Sequence, residues 1–304
     1  MKKGIKFLIV ALLFLPFSGS AQTDTLIKKL DSLTRKTDSA GGQKNNINSA
    51  SYNAATNISL SNYFLLLGSD LKQEFTKPFH MVRKDWQRLG KFAVVLVALG
   101  VADEGIQKAM VRLTRDKPSL RSASAKISKF GGPYEFYTLA TIAATGLIFK
   151  NQKMFTTTLL ATQAYITGGA LESVTKFLSG RTRPSYYDPG VEAEPKFLGP
   201  LAKTTTSSSG KKVYSAFPSG HTTVAFAAAT VFASEYKNYP FVPIIAYSAA
   251  TLIGISRLTE NKHWATDVLT GVVIGILSGK NVVNNYHRFV KIKAPQIQKN
   301  AASF

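Results

Sequence analysis

Hydrophobic positions along this chain gather into six apolar runs, at residues 92–102, 136–149, 154–171, 221–234, 241–256 and 265–279. The runs are rich in Ala, Leu and Ile, and they do not alternate with polar residues at every second position as a half-buried strand would, so they predict helices. The expected fold class is all-α: a six-helix core bundle, membrane-embedded or membrane-associated.

Crossing about 30 Å of hydrocarbon takes about 20 mostly apolar residues. Residues 154–171 and 238–256 are free of charge and long enough to be credible spans, whereas 92–102 stops at Asp103-Glu104 and reads as a partly inserted or protein-covered helix. Runs of about 10–14 residues are equally the length of soluble core helices, and a mean hydropathy of +0.01 keeps a soluble periplasmic bundle open. If 154–171 spans, residues 150–153 share a side with the tail carrying Arg288, Lys291 and Lys293. The positive-inside bias then puts the tail in the cytoplasm and the loop after Lys176 outside, provided 92–102 does not cross.

The domain reading follows the same pattern. Residues 1–21 form a signal peptide, with Lys2, Lys3 and Lys6 before an apolar stretch and small residues at 18–21; an uncleaved anchor is the alternative. Residues 22–62 are a weakly ordered lead-in, 63–90 an amphipathic or interfacial segment with Phe79 and Trp86, 91–280 the helical bundle and 281–304 a basic C-terminal tail.

Composition narrows the chemistry. With no cysteine, disulfides, thiolate metal sites and cysteine nucleophiles are excluded. A net charge of +21 suits nucleic acid, anionic lipid or phosphorylated substrates, and secretion removes nucleic acid as an expected partner.

Three short patterns at predicted helix ends combine cations and imidazoles with one carboxylate. The first is Lys176, six residues, then Arg183-Pro184, where Gly180 and Pro184 should end a helix with two cations near the same end. The second, Pro218-Ser219-Gly220-His221, precedes an Ala-rich run and reads as a helix start whose free N–H groups, with the Ser219 hydroxyl, would bind a phosphate; Gly220 permits close approach. The third is Ser256-Arg257, five residues, His263, three residues, Asp267. Its four-residue offset would place His263 and Asp267 on one helical face, so that the carboxylate holds one ring nitrogen protonated and leaves the other free to attack. His80 and His287 lack such context and are expected at the surface. The long connection 185–217 is expected either to cap the pocket or to be a flexible linker.

Taken together, these motifs resemble the three signature motifs of the type 2 phosphatidic acid phosphatase superfamily, which also holds class A acid phosphatases and vanadium haloperoxidases. The resemblance runs over residues 92–279. It implies metal-free hydrolysis with no cofactor, with His263 as nucleophile, Asp267 as its orienter and His221 as the acid that protonates the leaving oxygen. It also implies phosphate binding by Lys176, Arg183, Ser219, Gly220 and Arg257. The expected partner is a phosphorylated lipid, or a small phosphate ester, at the periplasmic face of the inner membrane. A soluble acid phosphatase, a vanadium haloperoxidase and a non-catalytic phospholipid binder remain as alternatives.

Overall fold

A computed structural model describes residues 58–187, 192–200 and 215–301. The signal-peptide reading, most of the lead-in and the Thr/Ser stretch at 204–209 fall outside the described residues. Eight α-helices follow one another: α1 (Leu60–Thr76), α2 (Arg83–Asp116), α3 (Pro118–Ser128), α4 (Pro133–Ile148), α5 (Gln152–Ser179), α6 (Gly220–Glu235), α7 (Phe241–Thr259) and α8 (Ala265–Ala301). Among the described residues the only pairing of strand type is an isolated antiparallel bridge between Arg181 and Phe197.

The all-α class stands: each of the six predicted runs lies in a helix, and the described residues add α3 within the core and α1 ahead of it. The apolar run at 92–102 is the middle of a longer helix: α2 continues for three further turns past Asp103, which is fully buried and satisfied by Arg181 and Thr266. An acidic residue with partners need not end a helix. Helix α3 escaped the hydrophobic pattern because its packing face is built from small polar residues: Ser124 and Ser128 are buried, and Ser124 accepts from the Thr259 hydroxyl at 2.7 Å. The lead-in boundary also moves, since α1 begins at Leu60 with the Ser59 hydroxyl accepting from the Asn62 N–H. The region read as a tail from 281 is instead a continuation of α8, whose Val282, Val283, Asn285 and Tyr286 are buried.

Helix α6 lies against α5, α7 and α8 and is buried at every residue from Thr222 to Val231, as a helix of small and apolar residues all round should be. Helix α8 reaches it through glycines. A Cβ on Gly271, Gly275 or Gly279 would lie 2.7, 2.4 and 2.7 Å from the carbonyl oxygens of Ser219, Thr223 and Ala227, so only glycine lets these two backbones meet. This contact sets the N-terminal ends of α6 and α8 side by side, and the Ser219 N–H donates to the Asp267 carbonyl at 3.0 Å.

The distribution of polarity is inverted relative to a water-soluble bundle. Thr156, Thr157, Thr158, Gln163, Thr167, Thr222 and Thr223 are buried, while Val94, Val97, Val101, Phe136, Tyr137, Phe241, Ile244 and Ile245 face outward. Two stretches are long and apolar enough to cross a membrane by length and composition: Phe241–Thr259 and Ala265–Arg288. Helix α5, which contains 154–171, does not meet that measure of length and composition. Its threonines bond their own preceding carbonyls, as Thr157 does to Lys153 and Thr167 to Gln163, and serve as an inner polar face.

Candidate active site

Helix α5 ends where its sequence changes. Gly180 adopts a left-handed conformation (φ 52°) and its N–H closes on the Lys176 carbonyl. The exit brings three basic side chains to one end of the bundle. Lys176 forms an ion pair with Glu172 one turn earlier. Arg181 is buried between carboxylates. Arg183 donates from Nε to the Ser215 hydroxyl and from Nη2 to its carbonyl, both at 3.1 Å, so its positive charge meets only neutral partners there.

Ser219 is the N-cap of α6, as the second motif predicts, and Gly220 is its first residue. A Cβ on Gly220 would lie 2.5 Å from Oε1 of Glu172 and 3.2 Å from Nζ of Lys176, so the absence of a side chain is what lets the first motif approach the second. The Ser219 hydroxyl is buried and shares a 2.8 Å hydrogen bond with Thr222. His221 packs under the turn that precedes α4: a Cβ on Gly132 would stand 3.0 Å from His221 Nε2, and one on Gly131 3.2 Å from His221 Cβ.

The third motif differs from the expected geometry. Helix α8 starts at Ala265, so His263 lies two residues ahead of its first turn and does not share a helical face with Asp267. The two still meet, with Nδ1 of His263 3.5 Å from Oδ2 of Asp267. That oxygen accepts the Trp264 N–H at 2.8 Å, an acid in the first turn reaching back to the residue before the helix. The nearer neighbour of Nδ1 is the Ala216 carbonyl at 2.7 Å. A carbonyl can only accept, so Nδ1 carries the hydrogen and Nε2 presents a lone pair. Arg257, at the end of α7, donates to Glu260 at 2.5 Å.

Electrostatics tie these groups into one site. Burial, and then the positive charges of Arg257, Lys176 and Arg183 together with the neighbouring His263, push His221 down to about 3. His263, fully buried, is held well below the ordinary histidine range by burial and the same three cations. Burial lowers Lys176, with Glu172 opposing, and burial and Arg257 lower Arg183. Lys176, Arg183, Arg257, His221 and His263 are therefore within electrostatic range of one another, although their motifs stand up to 87 residues apart in sequence. Three cations and two imidazoles held neutral by burial and by those charges thus meet at one end of the bundle, with Lys176 and Arg257 each also paired with a glutamate.

Comparison with known proteins fits this geometry. A profile described as the PAP2 superfamily matches residues 157–291. Phosphatidylglycerophosphatase B of Bacillus subtilis is 30% identical over 188 residues, covering 59% of this chain and 81% of that protein. The chain belongs to the PAP2 superfamily. Within it, a lipid A 1-phosphatase of Porphyromonas gingivalis is 49% identical over 65 residues, 21% of this chain and only 15% of that relative's length. A crystal structure of a transmembrane PAP2 type phosphatidylglycerolphosphate phosphatase from Bacillus subtilis aligns over 64% of this chain and 93% of its own, at 24% identity and a TM-score of 0.44.

Several residues around the candidate site were not singled out from the linear sequence. Glu172 stands one helical turn before Lys176, a spacing that was there to be used. Asp103, Arg181 and Thr266 form a buried cluster behind Asp267, and only the fold joins α2 to the other two. Of the other histidines, His80 is exposed as expected, whereas His287 is a correction: it is buried, and its Nε2 lies 2.8 Å from Oε1 of the equally buried Glu235. Of the connection at 185–217, residues 188–191 and 201–214 lie outside the described residues, and Phe197 stacks edge-on with Phe217.

Proposed function

We propose that this protein is a metal-independent phosphatase that hydrolyses a lipid phosphate monoester or pyrophosphate through a phosphohistidine on His263. The observation that carries the proposal is the lone pair on His263 Nε2, fixed by the Nδ1 contact to Ala216 and set among Lys176, Arg183 and Arg257. Those cations neutralise the equatorial oxygens of a bound phosphoryl group, together with the free N–H groups at the start of α6. Nε2 of His263 bonds to phosphorus as the phosphorus–oxygen bond to the leaving group breaks, and protonated His221 gives its proton to that oxygen. His221, now neutral, takes a proton from the water that cleaves the phosphorus–nitrogen bond, which releases phosphate and restores both histidines.

Burial and the neighbouring cations hold His221 neutral, whereas the first step needs it charged. A phosphate dianion bound beside it brings negative charge that favours its protonated form, so substrate binding itself arms the acid.

A lipid substrate is supported by where the site stands. The link between the two apolar stretches, Phe241–Thr259 and Ala265–Arg288, carries His263, so a membrane crossed by both would hold the site at its headgroup level. The outward apolar faces of α2, α4 and α7 favour the membrane reading over a soluble enzyme. We place the site at the periplasmic face of the inner membrane, in keeping with the secretory start of the sequence. Candidate substrates are phosphatidic acid, phosphatidylglycerol phosphate, undecaprenyl pyrophosphate and the lipid A phosphates, two of these classes being named in its relatives. Phosphate release from that panel and from a soluble monoester, assayed in washed membranes, tests the reading. Turnover of a lipid phosphate is expected; activity confined to the soluble fraction and to the soluble ester would contradict it.

A further inference from the structure

Arg181 lies two residues before Arg183 in the same basic stretch, yet its surroundings are opposite. It is 3% exposed. Its Nη2 donates to Oδ2 of Asp103 at 2.7 Å, and its Nη1 donates both to Oδ1 of Asp267 and to the Thr266 hydroxyl. Thr266 closes the set by donating its hydroxyl to Oδ2 and its backbone N–H to Oδ1 of Asp103. The rings of Phe197, Trp264 and Phe217 stand 4.7, 5.6 and 6.0 Å from the guanidinium. Two buried carboxylates and the Thr266 hydroxyl take its Nη groups, and burial among aromatic rings closes its remaining Nε–H off from solution, so it is not placed to take phosphate.

Both acceptors around Nδ1 of His263 run back to this one residue. Asp267 has Oδ1 held by the Arg181 side chain, which fixes the carboxylate so that Oδ2 faces Trp264 N–H and His263. Ala216, whose carbonyl accepts from Nδ1, donates its own N–H to the Arg181 carbonyl at 3.0 Å. We propose that Arg181, clamped by Asp103 and Thr266, is the positioning residue of the nucleophile, setting the ring of His263 through Asp267 on one side and Ala216 on the other. Helix α2, which brings none of the proposed chemical groups, thereby takes part in catalysis through Asp103.

This inference rests on the proposed role of His263, and its test separates the two. Steady-state kinetics on a short-chain phosphatidic acid in detergent micelles, with inhibition by orthovanadate, would be measured for the wild type and for Arg181→Lys, Asp103→Asn, Thr266→Val and Thr266→Ser. Small displacements of a reacting group are costly, so kcat should fall about ten- to hundredfold in the first three. KM and the vanadate inhibition constant should stay within about threefold, because the phosphate ligands are untouched. Thr266→Ser, which restores the hydroxyl, should recover most of kcat. If Arg181→Lys fails to fold, Thr266→Val decides, since it keeps the side-chain volume and removes one hydroxyl. Wild-type kcat in Thr266→Val and Asp103→Asn would overturn the proposal, as would an Arg181→Lys enzyme whose KM and vanadate constant rise at unchanged kcat. A wild type that releases no phosphate would instead defeat the phosphatase reading.

Discussion

The paired helices α6 and α8 bury a histidine beside a carboxylate at each end, and the two ends differ in everything else. At one end, His263 meets Asp267 and the Ala216 carbonyl, with Lys176, Arg183 and Arg257 in range. At the other end, roughly 36 Å away along α8 by helical rise, His287 meets Glu235 at 2.8 Å, and the Tyr286 ring lies edge-on to its imidazole. By hydrogen-bond distance alone, the second pair is the better histidine–acid couple. What marks the first is the convergence of three cationic side chains from separate motifs on the ring, Lys176 and Arg257 each also paired with a glutamate. A buried histidine against an acid is a packing solution; with three cations drawn in from distant motifs, it is the end proposed to hold a phosphoryl group.

Four expectations break or sharpen that contrast. The largest effect should come from His263→Ala, which removes the attacking atom and should cut phosphate release by about three orders of magnitude or more with folding retained. An active His263→Ala enzyme would erase the distinction between the ends. Next, Arg257→Ala should lower kcat/KM by about a hundredfold, as loss of one oxyanion partner does, measured on whichever lipid phosphate the wild type prefers.

The third concerns protons. Burial and the neighbouring cations hold His221 near 3, so that it is neutral at pH 6; an anion bound among those cations should raise it and restore its proton. Orthovanadate should therefore bind with uptake of on the order of one proton, and its affinity should weaken as pH rises through the His221 value of the bound form. Calorimetry in buffers of different ionisation enthalpy reads that uptake; proton release would reverse the argument. The smallest effect on chemistry is reserved for His287→Ala. It should leave kcat within about twofold while stability in detergent falls by about 1–3 kcal/mol, the cost of stranding buried Glu235. A large kcat loss there would make the two ends equivalent after all.

Much of this could be read before folding, for local reasons. Gly180 ends α5 because left-handed backbone favours glycine, and Ser219 starts α6 because that position suits a cap; both were visible in a few neighbouring residues. The features that were not visible depend on distant partners. Asp103 showed only as the end of an apolar run because its partner Arg181 stands 78 residues later. His287 looked like a surface residue because Glu235 stands 52 residues earlier. The proximity of His263 to Asp267 was expected from helical spacing and arises instead from a cap, with His263 outside the helix. Helix α3 carries too few large apolar residues for any periodicity to betray it. Linear motifs named the proposed groups of the site, but that the neighbouring Arg181 holds two carboxylates was visible only in the packing.

The claim on which the account turns is that phosphorus becomes bonded to Nε2 of His263. Rapid quench of the enzyme with radiolabelled lipid phosphate, followed by peptide mapping, tests it directly. The account predicts a label that is stable in base, lost in acid and carried by the peptide containing residue 263. Steady turnover with no labelled protein, or a label on another residue that persists in His263→Ala, would contradict it.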